Sequence, residues 1–108
     1  MTNNNGKVYV VTHRHTSADQ HGGRISKFDV LGVCKDLEEA KRIAWEQINE
    51  TLDVYGSDER FEITYRPSDD QINRMIEMLD TVVYARIESP INGSTIVRGV
   101  TVCESKMT

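Results

Sequence analysis

Three histidines lie close together early in the chain, and their side chains are the best equipped for chemistry. His13 and His15 are two positions apart, so in an extended segment they point to the same side. Asp19 and His21 follow closely. Imidazole and carboxylate groups are ligands for zinc and similar divalent ions. His13, His15, Asp19 and His21 are therefore the candidate metal ligands, and a divalent metal is the one cofactor the sequence suggests. The spacing matches no tight zinc motif. The simpler reading is that a strand frays after Thr12 and leaves solvated histidines and no cofactor. Without a metal, His13 could act as a general base. Tyr9, Arg14 and His15 would then supply polar contacts.

Other reactive types read as scaffold. Cys34 stands two residues before a helix cap, where a helix end can activate a thiol, and a Cys34/His13 pair is conceivable. Asp36, Glu38 and Glu39 crowd the same place and oppose a thiolate, so a small buried hydrophobe is the reading preferred. Cys103 reads the same way. His21-Gly22-Gly23-Arg24 could cradle an anion through backbone N–H groups, but it lacks phosphate-loop spacing. Asp69 and Asp70 suit a helix N-terminus. Trp45 falls on the flank of an apolar helix stripe. It is either core-edge packing or an interface contact.

These residues need elements to position them. Residues 1–6 read as a disordered tail. Lys7 to His13 reads as a strand, with Val8 and Val10 on one face and Tyr9 and Val11 on the other. Apolar residues on both faces predict an interior strand covered, at least in part, on each side. Residues 14–26 read as a long polar loop, and about Lys27 to Cys34 as a strand antiparallel to the first. Asp36 caps a helix that runs to Gly56, with Glu39 three residues on and a stripe of Leu37, Ala40, Ala44, Ile48, Leu52 and Tyr55. Phe61, Ile63 and Tyr65 alternate with polar residues as a candidate edge strand. Ser68 caps a shorter helix carrying Ile72, Met75, Ile76 and Leu79. Thr81 to Glu88 and Thr95 to Cys103 form a hairpin around Asn92-Gly93. The expected fold is α+β, a single domain over residues 7–105 in the order ββαβαββ. A mainly antiparallel sheet of about five strands carries two helices packed on one face.

The first ββα unit resembles a broad class of short uncharacterised proteins. The likeness rests on Val8-Tyr9-Val10-Val11 ending in His13, then Leu31-Gly32-Val33, then Asp36-Leu37-Glu38-Glu39-Ala40, over roughly residues 7–45. It implies a fold and carries no activity and no site residues.

Charge distribution narrows the function classes. Residues 1–35 carry a balance of +3, residues 36–80 of −8, and residues 81–108 of +1. Nucleic-acid binding calls for a concentrated basic footprint, and no nucleic acid is expected as a partner. A scattered basic face of Arg14, Arg24, Lys27 and Arg98 is what could reverse that. No apolar run has the length to span a membrane, and the polar start lacks a signal's apolar core, so a cytoplasmic protein with free thiols is expected. The leading reading is a small non-catalytic binding or regulatory protein that acts through protein contacts or self-association as a homo-oligomer. The alternative is a small-molecule or metal-dependent binder or enzyme. It would use Tyr9, His13, Arg14, His15, His21, Arg24 and Trp45 at the strand end and in the 14–26 loop.

Overall fold

The computed structural model describes residues 6–106. Of the expected tail, residues 1–5 lie outside the described residues, and Gly6 is in a turn at φ 80°. The elements are β1 (Lys7–Ala18), β2 (Arg24–Cys34), α1 (Leu37–Gly56), β3 (Glu62–Tyr65), α2 (Asp69–Glu77), β4 (Val82–Glu88) and β5 (Thr95–Lys106). All strand pairs are antiparallel, in the sheet order β2-β1-β5-β4-β3. This is the expected ββαβαββ α+β fold. β1 is interior, and β3 forms one edge, as its alternation predicts. The other edge is β2.

The 14–26 loop is the main correction. β1 continues to Ala18 and β2 begins at Arg24, so the connection is only residues 19–23. Polarity made this stretch look like loop, but Thr16 and Ser17 tolerate extended backbone when strands pair on both sides. Here β5 runs along one side of β1 and β2 along the other, as far as Ala18. Asp19 closes the turn. Its Oδ1 accepts the backbone N–H groups of His21 and Gly23, both at 2.8 Å, which is Asx-turn chemistry. Gly22 supplies the positive φ of 87°.

Both helix starts follow their sequence signals. Asp36 Oδ1 accepts from Glu39 N at 2.8 Å. Ser68 and Gln71 form a reciprocal capping box. α2 ends before Leu79, because Leu79 and Asp80 are left-handed at φ 58° and 53°. Phe61 lies just outside β3 and meets Tyr55 edge-on, ring centroids 5.1 Å apart.

The main core lies between the helices and one sheet face. Ala40, Ala44 and Ile48 of α1 and Ile72 and Ile76 of α2 pack on Val11, Val83, Val100 and Val102. Gly32 lets α1 come close, since a Cβ there would sit 2.9 Å from Ile43 Cδ1. Nearby the β1–β2 register shifts, pairing Val11 with Gly32 but Thr12 with Val30. Leu31 is thus an extra residue in β2. This β-bulge turns the rest of β2 over relative to a simple alternation.

Candidate functional site

Directly paired residues of adjacent strands share a face, so the register sorts the polar side chains. Val11, His13 and His15 lie on the helix-covered face, while Thr12, Arg14 and Thr16 lie on the opposite one. His13 is buried, only 6% exposed. Its Nε2 accepts from Arg98 Nε at 2.9 Å, and Arg98 Nη1 donates to Tyr55 Oη at 3.3 Å. The guanidinium also lies over the Tyr55 ring, 5.9 Å from its centroid. An Nε2 that accepts carries no proton, so the neutral ring holds its hydrogen on Nδ1. The electrostatics agree. Burial lowers the His13 pKa, with Arg98 and His15 adding to it and Asp29 and Glu50 opposing. Burial also lowers the His15 pKa, followed by Arg98 and Lys27.

The expected metal set does not converge. Among the described residues, no group of three or more His, Cys, Asp or Glu is placed to hold a metal ion. Asp19 and His21 sit at the turn, six or more strand residues from His13, roughly 20 Å at strand rise. The Cys34/His13 pair fails too. Cys34 pairs with Tyr9, four positions or about 13 Å along the strand from His13. Its thiol is buried, and its pKa is raised by burial, then by Glu39 and Asp36, with Arg42 opposing. Tyr9 packs beside the main core. Trp45 lies there as well and donates Nε1–H to Asn73 Oδ1 at 2.8 Å, tying α1 to α2. Arg14 and Arg24 lie on the other face of the sheet. Of the expected binding residues, the structure groups only His13 and His15. Arg98 and Tyr55 complete their cluster, and the sequence reading missed that role for both. Arg98 is 85 residues from His13, so only strand register brings them together.

Among the described residues, no element covers the opposite face of the sheet. Rows of cross-strand neighbours run over it: Val33–Val10–Cys103, then Val30–Thr12–Thr101–Val82, then Phe28–Arg14–Gly99–Tyr84. Phe28, Val30, Val33 and Val82 are 57, 58, 63 and 52% exposed. Tyr84 stacks on Tyr65 at 4.9 Å, extending the apolar surface to the β3 edge. A hollow of about 170 Å³ lies at its centre, lined by Thr12, Arg14, Phe28, Val82, Gly99 and Thr101. Gly99 floors it, and a Cβ there would come within 2.9 Å of Val82 Cγ1. Arg14 reaches across the face with its guanidinium 5.7 Å from the Phe28 ring centroid.

No protein-family model, curated protein sequence or solved structure matches the chain.

Proposed function

We propose that this chain is a non-catalytic binding module that works as a homodimer, two copies stacking the open faces of their sheets. The uncovered apolar face carries the reading. The sequence of β1 suggests at least partial cover on both faces, and among the described residues helices cover only one. Single exposed hydrophobic residues are ordinary, but a contiguous patch marks an interaction surface. The apolar rows span four strands by about five residues of β1, Val10 to Arg14, roughly 20 by 17 Å at standard strand spacings. That is roughly 340 Å² per copy, the size of an interaction patch and the apolar centre of an interface whose polar rim would bring it toward the ~800 Å² per partner of a stable one. Sheets stack naturally in this way, about 10 Å apart. Both layers would present β-branched and aromatic side chains, with a hollow at Gly99 to receive a partner side chain.

The β2 edge offers a competing route to a dimer, through strand pairing. Val82 separates the two, because it lies three strands in from β2, about 14 Å away. Val82→Glu adds charge to the stacking face and leaves the edge backbone untouched. Light scattering should show a dimer for the parent chain at about 100 μM and a folded monomer for Val82→Glu. The expected weakening is at least tenfold, or about 1.4 kcal/mol. A parent chain that stays strictly monomeric, or a Val82→Glu variant that still dimerises fully, overturns the proposal.

A further inference from the structure

Lys27, His15 and Arg98 form a direct cross-strand row on the helix-covered face, from β2 through β1 to β5. Neighbouring Cβ atoms in such a row lie about 5 Å apart. Two permanent cations thus flank one imidazole. Cross-strand pairs normally favour opposite charges and disfavour like ones. Among the described residues neither Lys27 nor Arg98 has a carboxylate within ion-pair distance. The nearest acidic influence, from Asp29 on β2 and Glu50 on α1, is felt at His13 in the next row. At His15, every influence disfavours the charged ring: burial, then Arg98, then Lys27.

Arg98 is held in place yet only partly used. Its Nε–H goes to His13 and one Nη1–H to Tyr55. A guanidinium has five N–H groups, so three remain. No buried side-chain nitrogen among the described residues lacks a partner, and Arg98 Nη2 makes no hydrogen bond, so its two N–H groups reach solvent. They form a planar fork suited to paired oxygens of an anion. Tyr55 accepts from Arg98 and keeps its own O–H to donate.

We infer that Arg98, His15 and Lys27 form an oxyanion-binding site that takes the phosphate group of a small ligand, with His13 as the positioning residue that orients the Arg98 fork. A phosphate dianion matches two fixed cations plus an imidazole that gains a proton when the anion arrives. The site lies on the face opposite the proposed dimer surface, so either can fail without the other.

The test is an NMR titration of the full chain with inorganic phosphate, against sodium chloride at matched ionic strength. It follows the His13 and His15 ring protons and the Arg98 Nε–H. Saturating shifts at all three are expected, with a Kd in the millimolar range, about −4 kcal/mol or weaker. The His15 pKa should rise as phosphate binds. Arg98→Gln should abolish saturation, but it also removes the bonds to His13 and Tyr55. Lys27→Gln changes an exposed side chain outside the core and should weaken binding at least threefold with the fold intact. Shifts that chloride reproduces, shifts that do not saturate, or saturation unchanged by Lys27→Gln would each overturn the inference.

Discussion

His13 gives Arg98 a neutral acceptor, which links folding to protonation of the ring. Both His13 and His15 have folded-state pKa values below the ordinary 6.5. Below pH 6.5 the unfolded chain therefore binds more protons than the folded one. Stability is fully present above that pH and declines as the pH falls from 6.5 toward the folded-state values. His13→Gln keeps an acceptor for Arg98 and removes one titrating group. The loss in urea midpoint between pH 7.5 and pH 5 should be smaller in His13→Gln than in the parent chain. Identical losses would mean that the buried ring does not couple to stability. At this scale the sequence was half legible. The i, i+2 spacing placed His13 and His15 on one face correctly. It could not supply Arg98, whose position opposite His15 depends on the register of a strand near the other end of the chain.

At the level of elements, local signals predicted well and polarity predicted poorly. Capping residues and apolar periodicity located both helices, because those interactions are made within a few residues. Asp36→Ala should cost about 1 kcal/mol, the usual worth of an N-cap oxygen, read from urea unfolding. The β1–β2 hairpin was expected, but its outer part, residues 14–18 and 24–26, was read as loop, because its polar residues are held by neighbouring strands and by Asp19, none of which composition reports. Because β1 continues to Ala18, amide exchange should show protection through residues 14–17, where a loop would exchange freely. Asp19→Ala removes the Oδ1 that accepts both turn N–H groups and should shorten that protected stretch, with a stability loss of about 1 kcal/mol. The second hairpin is more demanding. Gly93 has φ 72°, and a Cβ there would meet Gln20 Oε1 at 3.0 Å, so the two hairpin tips abut. Gly93→Ala should therefore destabilise by about 1–2 kcal/mol through its left-handed backbone.

The molecule as a whole is drawn out, 53 by 27 by 18 Å with a radius of gyration of 15.4 Å. A compact domain of about 100 residues has a radius near 13 Å. The excess comes from long β1, β2 and β5 extending past the helices, which leaves residues 24–30 of β2 exposed. A single sheet with helices on one side buries one face, and the strands here are apolar on both. No helix among the described residues is long and apolar enough to cross a membrane, so the second face is not explained by a helical span. Cover by a second copy has a thermodynamic signature that does not depend on seeing the dimer. If folding and association are coupled, the dimer unfolds to two chains and its melting temperature rises with protein concentration. For a dimer of chains this size, each tenfold rise in concentration should add about 3 °C, from the usual unfolding enthalpy per residue. Scanning calorimetry between about 5 and 500 μM should show twice that rise in the parent chain. Val82→Glu should melt lower, at one temperature throughout that range, because its unfolding no longer releases a partner. A parent melting temperature that does not move with concentration would mean that the apolar face is tolerated in water by the monomer.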